Sequence, residues 1–235
     1  MPRLTPFVDV PVVSQRPLAG PEAVNGSQNT SIGNFTQSVA SPFGGWVWEF
    51  VFPPMEGEEY RHFRGWLFAQ QKGANATRWQ MVDRDLMPRS RAGVAAEGGN
   101  MPWSNGMRWS NGMRWGLTYP NVAVAAATAK DATIINLADT FWGHGLKWGD
   151  RIGFFPLHLG LYQVTEELGS GQYRIWPPLR KAISTDDFAT LYPTLALRLM
   201  MQDFEYPTEE QVHTTGATVR MIEVPDYYVR QYFTD

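Results

Sequence analysis

Four aromatic residues at alternate positions, Trp46, Trp48, Phe50 and Phe52, mark the clearest element of this chain. A period of two sets all four on one face of a strand, with Val47, Glu49 and Val51 alternating between them. Pro53 and Pro54 stop the strand, because neither can donate to a ladder and each restricts the residue before it. The period then lengthens. Residues 56–73 carry Tyr60, Phe63 and Leu67 at helical spacing, acids at the start and Lys72 ahead of a glycine. This predicts a helix whose apolar stripe covers the sheet holding the first strand, with residues 77–82 returning as a strand beside it.

Residues 83–99 lose any period, and a tandem duplication follows: Trp103-Ser-Asn-Gly-Met-Arg108, then Trp109-Ser-Asn-Gly-Met-Arg114. Two copies are too few for a stacked solenoid, so the repeat reads as an extended loop or hairpin with Asn-Gly turns. Short β-like runs come next, at residues 122–127, 132–137, 150–155, 161–165 and 172–176, separated by glycine-containing turns. Five short strands at this spacing suit a small barrel. Pro177-Pro178-Leu-Arg180 closes that segment, residues 195–201 and 218–224 supply further strands, and a tyrosine-rich stretch covers residues 227–232. The order suggests an outer domain interrupted by an inserted barrel.

Composition agrees with a mainly β protein. The 235 residues include 22 glycines and 17 prolines, and 14% are aromatic, which fits short strands and many turns rather than helical bundles. Zero cysteines exclude thiol catalysis, disulfide scaffolds and cysteine-containing zinc sites. A formal charge of −3 disfavours general nucleic-acid binding, which calls for a basic surface. No run approaches the roughly 20 apolar residues of a membrane span and no signal-peptide pattern opens the chain, so a soluble protein without membrane insertion is expected. Asn-x-Ser/Thr patterns at Asn25, Asn29, Asn34 and Asn75 read more simply as Asn-rich loops than as glycan sites.

Candidate chemistry is thin. The four histidines, His62, His144, His158 and His213, lack metal-binding spacing, although His144 and His158 flank the turn at residues 143–150. Nucleophile-elbow, phosphate-loop and dinucleotide signatures are missing. Glu56, Glu58 and Glu59, Glu166 with Glu167, and Asp186 with Asp187 are adjacent acids of the kind found at helix starts and solvated turns. Neither catalytic residues nor a cofactor or metal site are therefore expected. In the repeat segment, Trp103, Met107, Arg108, Trp109, Met113, Arg114 and Trp115 are candidates for a protein interface or for stacking on glycan rings. Residues 60–115 carry nine basic side chains against three acids, and residues 201–235 carry seven acids against two arginines. These segments suit either pairing between subunits of a ring or two solvated faces.

One ordered series carries a family likeness: Ser38-Val-Ala-Ser-Pro-Phe-Gly-Gly-Trp-Val-Trp-Glu-Phe-Val-Phe-Pro-Pro-Met-Glu-Gly-Glu-Glu59, the helix, Trp148-Gly-Asp-Arg-Ile152 and Tyr173-Arg-Ile-Trp-Pro-Pro-Leu-Arg180. It resembles the distal tail (Dit-like) proteins of long-tailed bacteriophages and phage-like tail particles. The likeness spans roughly residues 35–200 and lies in the order of short motifs, with the duplicated loop outside it.

The resemblance implies a structural virion protein and not an enzyme. Its fold would be a ring-forming β-sandwich with one packed helix, interrupted by a small OB-like β-barrel. Residues 1–98 would begin the ring domain, 99–189 form the barrel and 190–235 complete the ring domain. Trp46, Trp48, Phe50, Phe52, Tyr60, Phe63 and Leu67 would be its core and ring scaffold. The implied assembly is a homo-oligomer, commonly a hexameric ring, at the tail tip or baseplate of the virion, made in the host cytoplasm. Its neighbours would be the tail tube protein and the baseplate hub protein, with peripheral receptor-binding proteins or a host glycan beyond. DNA would pass its lumen without being gripped, which a mildly acidic chain suits. The runner-up is a carbohydrate-binding module that contacts a host surface glycan through the loop tryptophans. A third reading, a hydrolase, would need one of the acids or histidines above.

Overall fold

The structure, a computed structural model, describes residues 2–5, 11–21, 29–30, 36–37, 44–83, 85–93, 119–156, 158–200 and 215–234. In chain order the first strands are β1 (Arg3–Thr5), β2 (Ser14–Ala19), β3 (Asn29–Thr30), β4 (Thr36–Gln37) and β5 (Val47–Phe52). Helix α1 (Gly57–Ala69), a 3-10 turn (Gln71–Gly73) and β6 (Ala76–Gln80) follow. Then come β7 (Val122–Ala123), β8 (Ile134–Asn136), β9 (Arg151–Phe155), β10 (His158–Gly169), β11 (Gln172–Trp176) and β12 (Phe188–Thr190). The chain continues with β13 (Thr194–Leu199), β14 (Ala217–Glu223), the short helix α2 (Asp226–Val229) and β15 (Phe233–Thr234). The protein is mainly β, and its chain divides into two compact units. Unit 1 comprises Met1–Met81, His158–Leu161 and Thr194–Asp235, and unit 2 comprises Val82–Leu157 and Tyr162–Pro193.

Unit 1 is built on a seven-stranded sheet in the order β15-β1-β6-β13-β14-β5-β2. The alternation read in β5 holds: Trp46, Trp48, Phe50 and Phe52 are all buried. Their rings meet Trp79 and the helix, with centroids 4.7 Å apart for Phe50–Trp79 and 4.8 Å for Phe52–Phe63. Helix α1 buries Phe63, Trp66 and Leu67, while Tyr60 packs half-buried at the margin of this core. Glu58 and Glu59 lie in its first turn, where the helix dipole favours acids. The helix ends at Ala69, earlier than its sequence pattern suggests. Gln71, Lys72 and Gly73 take positive φ and swing the chain into β6, and a Cβ on Gly73 would collide with the Leu199 carbonyl oxygen.

A smaller cluster, Leu4, Ala76, Ala196, Val224 and Val229 with Leu159 and Tyr232 against it, forms a second patch of core in unit 1. By alternation it lies on the other face of the sheet, since Ala76 and Ala196 neighbour Thr77 and Leu197 of the aromatic face.

Unit 2 is a curled six-stranded sheet in the order β7-β12-β9-β10-β11-β8. A bridge between Val124 and Leu137 links the ends of β7 and β8, with Ala125 N–H donating to Asn136 O at 2.9 Å and Ala138 N–H to Ala123 O at 3.0 Å. The two outer strands of the order therefore meet. The interior is filled by Val122, Ile135, Trp142, Ile152, Phe154, Tyr162, Val164, Tyr173 and Ile175 among others. Buried polar atoms find partners there: Trp142 Nε1 donates to Pro120 O at 2.6 Å, and the Tyr162 hydroxyl accepts from Arg180 N–H at 2.9 Å. The Pro177-Pro178-Leu segment is buried and fixed by Leu179 N–H to Ala132 O at 2.9 Å.

Candidate functional site

In unit 1, strand alternation sets Glu49 opposite the aromatic face, where a carboxylate on a core strand needs compensation. Glu49 is nearly buried, and cross-strand register puts Arg16 of β2 and Arg220 of β14 directly beside it. Arg16 Nε donates to Oε1 at 2.6 Å and Arg220 Nε to Oε2 at 3.0 Å. Burial pushes the Glu49 carboxyl up, but the hydrogen bonds and charges of Arg220 and Arg16 outweigh it and leave the group below its ordinary 4.5. Alternation adds Arg78 of β6 and Arg198 of β13 to the same face, with half-buried Val47, Val51 and Ile222 between the charges. This face mixes cations with apolar patches, a composition suited to protein contact.

At one end of that sheet lies a cleft of about 770 Å³, lined by Gly73, Asn75, Arg198, Glu223, Tyr228 and Tyr232 among others. Asn75 is fully engaged: its Oδ1 accepts from Arg3 N–H at 2.9 Å and its Nδ2 donates to Ala69 O at 2.7 Å. It is therefore a buried clasp between β1 and the helix end, not part of an exposed loop. Glu223 Oε2 accepts from Trp46 N–H at 3.0 Å. Both residues hold backbone in place at the wall of the cleft. Exposed Val13, Leu18, Tyr228 and Phe233 add apolar area to unit 1.

In unit 2 the turn at residues 146–150 presents Trp148, 69% exposed, above buried Leu146. Asp150 builds the turn by accepting Lys147 N–H at 2.7 Å while Arg91 pairs with it at 3.1 Å. Burial pushes the Asp150 carboxyl above its ordinary 3.8, against the Lys147 hydrogen bond and the Arg91 charge. Phe155 and Phe188, cross-strand partners, also face outward and are exposed.

The acids and histidines singled out in the sequence do not assemble a reaction centre among the described residues. Glu166 pairs with Arg174 and Glu167 with Lys147, each at 2.7 Å. Asp187 closes its own turn by accepting Ser184 N–H at 2.7 Å. His62 lies 3.8 Å from Glu58 on the exposed helix surface, His144 is 3.3 Å from Asp139 on its turn, and His158 is buried in unit 1. No three His, Asp or Glu side chains gather at metal-binding distance among the described residues, and no described helix is long and apolar enough to cross a membrane.

Trp46, Trp48, Phe50, Phe52, Phe63 and Leu67 lie together in the unit 1 core with Tyr60 beside them. Trp103, Met107, Arg108, Trp109, Met113, Arg114 and Trp115 lie outside the described residues, as do His213, Asn25 and Asn34. Sequence reading missed the Arg16–Glu49–Arg220 group and the cleft. The signal for both was a single acid within an apolar strand, Glu49 in β5 and Glu223 in β14. Comparison of the chain with protein families and with curated proteins gives no match.

Proposed function

We propose that this chain is a structural subunit of a phage-type tail, forming the distal ring that joins the tail tube to the baseplate hub and leaves a lumen for DNA. The observation that carries the reading is the order of the fold. Of the sheet that packs α1, strands β1, β2, β5 and β6 precede the curled six-stranded unit in the chain, and β13, β14 and β15 follow it. That is the order the resemblance implies, with unit 1 as the ring-forming sandwich module and unit 2 as the OB-like barrel. The mixed arginine and apolar face of unit 1, and its exposed Val13, Leu18 and Phe233, supply surface for neighbouring copies.

Size-exclusion chromatography with light scattering is the test, followed by microscopy of the particles. The expected result is a closed oligomer, six copies of the 26.6 kDa chain, appearing as a ring at the end of a tail tube. A strictly monomeric protein that never associates with tail particles overturns the reading.

A further inference from the structure

The cleft of unit 1 is laid out around a cation. Its floor crosses the sheet from Gly45, ahead of β5, past Ile222 of β14 and Arg198 of β13 to Asn75, ahead of β6. That crossing covers three strand spacings, at least about 14 Å, room for roughly four or five extended residues. Register sets Arg198 directly beside Ile222, and the stretch after β14 brings Tyr228 and Gln231 to the same cleft.

Arg198 is exposed there, and its charge is not taken up by the fold. Arg16 and Arg220 of the same sheet face share Glu49, whereas Arg198 makes no ion pair or side-chain hydrogen bond among the described residues. Glu223, the acid of the cleft wall, is buried and its Oε2 accepts from Trp46 N–H at 3.0 Å, which commits it to the start of β5. A single guanidinium presents two parallel donors that match the two oxygens of one carboxylate, while a phosphate dianion calls for more positive charge than one arginine supplies. Exposed Gln71 and Gln231 add amides that both donate and accept, as a peptide backbone requires. The cleft continues to either side of Arg198, so the acid that meets it belongs within a chain and not at its end.

We propose that this cleft binds an extended peptide segment of a partner protein through an internal aspartate or glutamate, whose carboxylate takes the Arg198 fork. The chain flanking that acid packs on Ile222 and the Tyr228 ring and exchanges hydrogen bonds with Gln71 and Gln231. The site is complete within one copy of unit 1 and independent of the ring reading.

The probes are labelled heptapeptides, acetylated and amidated, with Asp or Glu at the centre, each beside its Asn or Gln counterpart. A further set has no internal acid and a free C-terminal carboxylate. Fluorescence anisotropy on the full chain is expected to show the acidic set held at least about tenfold more tightly than the amide set. Arg198→Ala should abolish that preference, and Arg198→Lys should restore part of it, because an ammonium keeps the charge without the fork. Tyr228→Ala should weaken both sets alike, about threefold to tenfold. Arg198 is exposed, so its removal should leave the melting temperature unchanged. Retention of no peptide, equal retention of acids and amides, or preference for the free C-terminal set each overturns the proposal. So does an acid preference that survives in Arg198→Ala, or displacement of the peptide by an equal concentration of inorganic phosphate. A change of oligomeric state in Arg198→Ala overturns it too, by making the arginine a subunit contact; a monomer that holds the acidic set refutes only the assembly reading.

Discussion

Removing both arginines that hold Glu49 should cost unit 1 more than the two single removals added together. Arg16 exposes 67% of its side chain and Arg220 38%, whereas the Glu49 side chain exposes only 7%. With either arginine alone gone, the other still compensates the carboxylate, and pairs this exposed are each worth less than about 1 kcal/mol. With both gone, a buried carboxylate is left without a partner, a loss of about 3 kcal/mol or more. Arg16→Ala/Arg220→Ala should therefore exceed additivity by about 1–2 kcal/mol.

The pH dependence should reverse as well. In the native protein the Glu49 carboxyl is held below 4.5, so its contribution is present above the unfolded value and disappears as pH falls through the folded one. In the double variant only burial acts, the folded value rises above the unfolded one, and the contribution is lost as pH rises. Amide hydrogen exchange of β5 and β14 from about pH 6 downward reads both effects, with β9 and β11 as internal reference. Additivity within about 0.5 kcal/mol, together with an unchanged pH slope, would refute the reasoning.

Three further substitutions probe unit 1. Gly73→Ala must place a side chain at φ +83° against the Leu199 carbonyl, whereas Gly57→Ala at φ +56° meets nothing within 4 Å. The second should cost about 1 kcal/mol and the first clearly more, as measured by denaturant midpoints; equal costs would show that the clash relaxes. Phe63→Ala, which empties a fully buried position among Phe52 and Trp66, should cost about 3–5 kcal/mol by the same measurement.

Strong periodicity made β5, the first three turns of α1 and β11 legible, because each element buries one face and the sequence must alternate accordingly. The helix end was misjudged since Lys72-Gly73 resembles a last turn, while three left-handed residues had already broken the ladder. β2 was not foreseen: it is an edge strand with Pro17 and exposed side chains, so no buried face disciplines its sequence. β12, of three residues, is too short to carry a period. The partners of Glu49 were invisible because Arg220 is 171 residues away and only the register of β14 on β5 brings it near. Exposure of Trp148 was equally hidden, since a tryptophan beside Leu146 reads as core until the turn is seen to point it outward.

The completion of unit 1 by late strands governs how the chain emerges from the ribosome. Trp48, Phe50, Phe52 and Trp79 are translated before the whole of residues 82–193, yet β13 and β14, which close the sheet between their strands, come only afterwards. Trp46 and its carboxylate acceptor Glu223 are separated by 177 residues. At ordinary elongation rates the nascent aromatic surface waits on the order of ten seconds for its cover. Overproduction should therefore strain the supply of holding chaperones, and slower growth temperatures should raise the soluble yield.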